Sequence, residues 1–101
     1  MTATEAPADS TRLTAFVHGR VQGVGFRWWT RSQAMELGLQ GSATNLPDGR
    51  VCVVVEGEND AVREMLTRLR EPKTHSGRPG CVQTVVEQWA KPRGVEGFDM
   101  R

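Results

Sequence analysis

The chain predicts an α+β domain with two helices on one face of a small sheet. Three observations predict it. Short alternating apolar segments read as strands, two segments carry helical periodicity, and their order is β-α-β-β-α-β with a terminal strand added.

Leu13 to His18 alternates, with Leu13, Ala15 and Val17 on one face, and reads as the first strand. A glycine-rich loop follows. A helix is expected from about Phe26 to Leu37, with Phe26, Trp29, Ala34 and Leu37 turned inward and Trp28 and Met35 on the far side. Gly38 sits where a helix favours glycine just past its end. Leu39 to Leu46 reads as a second strand, weakly apolar. Pro47-Asp48-Gly49 is a turn signal, with Gly49 available for a left-handed position. Arg50 to Glu56 is a third strand, so the second and third strands form a hairpin.

Glu58 to Arg70 is a second helix. Val62, Met65, Leu66 and Leu69 form its buried stripe, and Asn59 or Asp60 is placed to cap it. Glu71 to Gly80 is a polar loop with two prolines and two glycines. Cys81 to Ala90 is a fourth strand whose alternation breaks at Val85-Val86, the expected site of a bulge. Gly97 to Arg101 supplies a short last strand. In this split arrangement the first and second strands run parallel, joined by a right-handed helical crossover. Asn45 therefore lies at the same end of the sheet as the glycine loop.

Composition bounds the function. The chain has 101 residues, 38% hydrophobic and 25% charged, which suits one domain with one modest core. Residues Met1 to Ser10 read as a disordered tail, leaving residues 11–101 as the domain. The tail lacks the basic and apolar regions of a signal peptide, and no apolar run approaches membrane-spanning length. A cytoplasmic, monomeric protein with no membrane partner is expected. Thirteen basic against twelve acidic residues argue against a nucleic-acid surface but leave room for one local positive pocket. Cys52 and Cys81 form no CxxC pair and have no nearby histidine, so no metal is expected, and both read as buried strand thiols, with a disulfide between them the lesser alternative.

The stretch Gly19-Arg20-Val21-Gln22-Gly23-Val24-Gly25-Phe26-Arg27 carries the chemistry. Glycines let a backbone turn tightly and approach a ligand. N–H groups at a helix start have no partner within the helix, and the helix dipole favours negative charge there. A helical side chain leans toward the N-terminus, which brings the Arg27 guanidinium back over the same loop. An anion cradle results. Taken singly, the loop could be a plain strand-to-helix turn, Arg27 a surface arginine and Asn45 the start of a turn. In the first helical turn, however, an arginine is electrostatically unfavourable without an anion. His18 and Arg20 border the loop and read as a packed strand histidine and a solvated arginine. His75 reads as solvated.

The glycine motif, followed by Gly41-Ser42-Ala43-Thr44-Asn45 and Leu46-Pro47-Asp48-Gly49-Arg50-Val51, resembles the acylphosphatases from about Leu13 to the end. The resemblance implies a ferredoxin-like sandwich and hydrolysis of a small acyl phosphate to a carboxylate and inorganic phosphate, with no metal or other cofactor. It implies that the backbone amides of Gln22, Gly23, Val24, Gly25 and Phe26 hold the phosphoryl oxygens, that Arg27 binds phosphate and that Asn45 orients the attacking water. Acetyl phosphate, carbamoyl phosphate and 1,3-bisphosphoglycerate are substrates of the implied kind. Ser42, Ala43 and Thr44 depart from the family, whose members usually carry bulkier residues there.

Three rival functions stand against this one. An RNA-binding module on this architecture would want aromatic residues on the central strands, which offer only Phe16. An anion-sensing module would keep the cradle without needing Asn45. A carbamoyl-phosphate-handling domain of a larger enzyme is set aside on chain length.

Overall fold

The computed structural model describes residues 9–71 and 77–101. Its elements are β1 (Ser10–Arg20), α1 (Phe26–Glu36), β2 (Gln40–Asn45), β3 (Val51–Glu58), α2 (Asn59–Arg70), β4 (Cys81–Ala90) and β5 (Phe98–Met100). Among the described residues the strands form one five-stranded sheet in the order β4-β1-β3-β2-β5. β3 pairs antiparallel with both β1 and β2, β1 pairs antiparallel with β4, and β5 joins β2 in parallel. β1 and β2 therefore run parallel with β3 between them, the predicted split arrangement.

Alternation decides which face is covered. Leu13, Ala15 and Val17 on β1, Ala43 on β2, and Val51, Val53 and Val55 on β3 are fully buried. Phe26, Trp29 and Ala34 of α1, with Val62, Met65, Leu66 and Leu69 of α2, close over them. Each large apolar side chain buried this way contributes about 1.5–3 kcal/mol. On the opposite sheet face the Arg50 guanidinium lies 5.0 Å from the Phe16 ring centre.

Helix α1 exposes Trp28 and Met35, as its periodicity predicts, and Leu37 packs at the core margin just past its end. Thr30 and Gln33 are buried on it as well, each with a hydrogen bond. Thr30 Oγ1 donates to Phe26 O at 2.9 Å, and Arg68 Nη1 donates to Gln33 Oε1 at 2.7 Å. Arg68 also pairs with Glu36 and Glu64, tying α2 to α1.

Four local expectations are corrected. β1 and β3 run longer than the apolar pattern, because polar residues Ser10 to Arg12 still pair through their backbones with Glu56 to Glu58. Helix α2 starts straight from β3, so Glu58 takes the N-cap position without a side-chain cap bond. Asn59 and Asp60 are already helical and cannot cap it. The bulge lies at Gln83 rather than Val85-Val86: His18 faces Thr84 and Gly19 faces Val82, which leaves one extra β4 residue. Cys81 is exposed because β4 is an edge strand, whereas Cys52 is half-buried and burial pushes its thiol pKa up. Both thiols are free. Of the expected terminal tail, residues 1–8 lie outside the described residues, and Ser10 already pairs with Glu58 in the sheet. Residues 72–76 of the expected polar loop, His75 among them, lie outside as well.

Glu56 fastens the segment that leads into β5. Its buried carboxylate accepts N–H bonds from Arg93 (2.9 Å), Gly94 (3.0 Å) and Val95 (3.3 Å), and it pairs with Arg12 at 2.5 Å. Burial pushes its pKa up, but the Arg93 N–H, the Arg12 guanidinium and the Val95 and Gly94 N–H groups outweigh burial and hold it below the ordinary value. A depressed folded pKa means that the stabilisation is complete above the unfolded value of about 4.3 and fades as pH falls through the lower folded value. Glu56→Ala is therefore expected to cost about 3–5 kcal/mol at pH 7 by urea denaturation, with a smaller cost at pH 3.

Candidate active site

Between β1 and α1 the chain makes a short loop anchored at both ends. Val21 and Phe26 are each 1% exposed, so the loop cannot lift away without opening the core. Gly23 and Gly25 take left-handed conformations, with φ of +73° and +90°. Gly25 is the N-cap of α1, and its carbonyl accepts the Trp29 N–H at 3.1 Å. No side chain caps this helix and no acid occupies its first turn. Among the described residues, no backbone carbonyl accepts the N–H groups of Gln22 to Arg27. A row of donors at the positive end of a helix dipole is thus left for another acceptor.

Arg27 is the second residue of α1 and half-buried. No hydrogen bond or ion pair joins its guanidinium to a described residue.

Asn45 ends β2 and sits opposite Val51, which sits opposite Val17 on β1. The loop starts four residues beyond Val17, so Asn45 and the loop share one end of the sheet. Asn45 alternates in phase with fully buried Ala43, which turns its side chain toward the helix layer. Its Oδ1 is buried and accepts no hydrogen bond from the described residues. Such an atom costs free energy until a donor reaches it.

Gln22 was expected to act only through its backbone. Its side chain does something sequence reasoning missed. Nε2 donates to Leu46 O at 2.8 Å and to Arg50 O at 2.9 Å, bridging the loop to the β2–β3 hairpin turn. Spacing carries no signal for such a bridge. The turn is braced from within as well. Leu46 N–H donates to Arg50 O, Gly49 N–H donates to Leu46 O, and Asp48 accepts both the backbone N–H and Nε–H of Arg50. The Arg50 N–H leads the causes that hold the Asp48 carboxyl below its ordinary pKa.

The segment before β4 was also missed. Gly80 has φ +78°, and a Cβ there would sit 2.1 Å from Arg20 O and 3.0 Å from Val24 Cγ2. That close approach supports the loop from behind. Arg78 Nη1 donates to Arg68 O and Leu69 O, both at 2.9 Å, at the end of α2. Its Cζ lies 6.0 Å from the Trp29 ring centre, so one arginine touches both helices. His18, Gly19 and Arg20 line a cleft of about 380 Å³ with Asp48, Gly49, Arg50 and Gln83. No cluster of three metal-ligating side chains occurs among the described residues, and no helix there is long and apolar enough to cross a membrane.

Comparison with known proteins turns this architecture into a class. The acylphosphatase family model matches residues 13–100, nearly the whole described domain, and the chain belongs to the acylphosphatase family. It is thereby placed among hydrolases that act on acyl phosphates. It is 70% identical over 95 residues to an acylphosphatase of Corynebacterium efficiens, covering 94% of this chain and 96% of that one. Its fold is similar to the solved acylphosphatase structure from Coxiella burnetii, with a TM-score of 0.84, 30% identity, and coverage of 98% of this chain and 100% of that chain. The acylphosphatase structure from Bacillus subtilis matches with a TM-score of 0.80 at 26% identity, covering 90% of this chain and 98% of that chain.

The close packing at Gly80 sets a test of the loop's support. Gly80→Ala is expected to lower stability by more than about 1 kcal/mol in thermal denaturation, because the new methyl group meets a carbonyl and a left-handed backbone. Acyl-phosphate hydrolysis should fall with it, because the loop must shift.

Proposed function

We propose that the amides of Gln22, Gly23, Val24, Gly25 and Phe26 hold the phosphoryl oxygens of a small acyl phosphate, that Arg27 clamps them, and that Asn45 orients the attacking water. One observation carries this reading. Among the described residues, loop N–H donors with no backbone acceptor stand beside a half-buried arginine with no counter-ion, at the same sheet end as an asparagine whose buried oxygen lacks a donor.

Phosphoryl transfer needs positioning and charge neutralisation more than covalent chemistry. Amides and a bidentate guanidinium supply both in fixed positions. Water attacks phosphorus as the bond to the acyl oxygen breaks, and the electron pair leaves with the carboxylate. A carboxylate is a weak base and departs without a protein acid. The proton of the attacking water passes to a phosphoryl oxygen of the substrate. The reaction by this route runs without a metal ion, since the cradle carries the positive charge. Acetyl phosphate, carbamoyl phosphate and 1,3-bisphosphoglycerate are substrates of this class. The balanced charge supports a protein that works without nucleic acid, and the protein is read as a cytoplasmic monomer.

Hydrolysis of acetyl phosphate in the presence of a chelator tests the assignment. The parent protein is expected to retain full activity with EDTA. Arg27→Ala should lose both turnover and affinity for inorganic phosphate. Asn45→Ala should lower kcat about 100- to 1,000-fold while phosphate still binds. Full activity in both variants defeats the assignment, and phosphate binding without turnover in the parent protein marks an anion sensor.

A further inference from the structure

We infer that Gln22 is a positioning residue: its side-chain amide sets the distance between the phosphate-holding loop and Asn45. The inference rests on the roles just proposed for that loop and for Asn45.

The bridge joins two pieces of chain that no strand pairing connects at this point. Gln22 lies inside the loop. Leu46 directly follows Asn45, and Arg50 closes the same turn. The carboxamide offers two N–H groups on one nitrogen. The two acceptors are Leu46 O at 2.8 Å and Arg50 O at 2.9 Å. Both ends of the hairpin turn are thereby held against the loop by one half-buried side chain.

Asn45 sits in the ladder opposite Val51, but its own N–H and Oδ1 are weakly held. Its backbone N–H reaches Arg101 O only at 3.4 Å, and its Oδ1 has no donor among the described residues. The neighbouring Leu46 is held much better. Its N–H donates to Arg50 O at 2.9 Å, and its carbonyl takes both the Gly49 N–H at 3.1 Å and Gln22. Movement of Leu46 relative to the loop would therefore carry Asn45, and any water it holds, out of line with a bound phosphoryl group.

Removing the amide leaves no backbone group unpaired. Leu46 O keeps the Gly49 N–H, and Arg50 O keeps the Leu46 N–H. A Gln22→Met side chain fills similar space without donors. The hairpin turn and the loop should each survive that change, with only their mutual spacing released. Gln22→Asn offers a complementary change, because it keeps the amide and loses the reach.

The experiment compares the full-length parent, Gln22→Met, Gln22→Asn, Asn45→Ala and Gln22→Met/Asn45→Ala. It reads kcat and KM for acetyl phosphate, the inhibition constant of inorganic phosphate, and Tm. Gln22→Met is expected to lower kcat about 10- to 100-fold, with the phosphate inhibition constant within about threefold of the parent, since small misplacements of reacting groups have effects of this size. Gln22→Asn should fall between the two. In the Asn45→Ala background Gln22→Met should add little, because the two act through one step.

Parental kcat in Gln22→Met overturns the inference. So does weakening of phosphate binding in proportion to kcat, which would place Gln22 in the cradle alone. Multiplicative losses in the double variant overturn it too. If Tm collapses in Gln22→Met, Gln22→Asn decides: a stable protein with parental kcat overturns the inference, and one with selectively lowered kcat upholds it. A collapse in both marks a structural tie and overturns it. Full activity in Asn45→Ala overturns the water-orienting reading itself, and the positioning inference with it. An impaired Asn45→Ala beside a fully active Gln22→Met overturns the positioning inference alone.

Discussion

Strand β3 imposes the constraint on which the molecule depends. It pairs with β1 on one side and β2 on the other, and Val51 faces Val17 and Asn45 at once. These backbone ladders put the end of β1 and the end of β2 side by side. Everything at that end follows, including the loop before α1, the hairpin turn and the Gln22 bridge between them. The apolar alternation of β3 also fixes which face takes the helices, because a slip of one residue would turn Val51, Val53 and Val55 toward the uncovered face.

The loop departs from the satisfied character of the rest. The buried polar residues Gln33, Thr30 and Glu56 find partners: Gln33 has Arg68, Thr30 has Phe26 O, and Glu56 has three N–H groups and Arg12. At the start of α1 the amides have no carbonyl, and Arg27 has no counter-ion among the described residues. Rigid neighbours maintain this state. Val21 and Phe26 pin the loop ends in the core, and Gly80 closes behind Arg20 and Val24. Local dissatisfaction held in place by packing is expected where a protein binds a ligand.

Much of this was legible from residue pattern. Alternation identified the strand faces, the i, i+3, i+4, i+7 stripe identified α2, and a glycine run before Phe26-Arg27 marked the loop. Asn45 could be placed at the right sheet end because a β-α-β crossover is right-handed and parallel. The misses have a common cause. Glu58 took the N-cap position expected of Asn59 or Asp60 because β3 runs further than its apolar residues. The bulge moved to Gln83 because pairing with β1 sets it. Cys81 is exposed because β4 is an edge strand. Each depends on which backbone lies alongside, which no local pattern records.

The sequence by itself determined the order of elements, the buried faces and the donor-rich loop, because these depend on side-chain polarity and backbone freedom within a few residues. Only the tertiary structure decided that Gln22 reaches the hairpin turn, that Gly80 supports the loop, that Arg78 touches both helices and that Glu56 holds the approach to β5. Those contacts join residues from 9 to 60 positions apart, and distance along the chain says nothing about them until the sheet has formed.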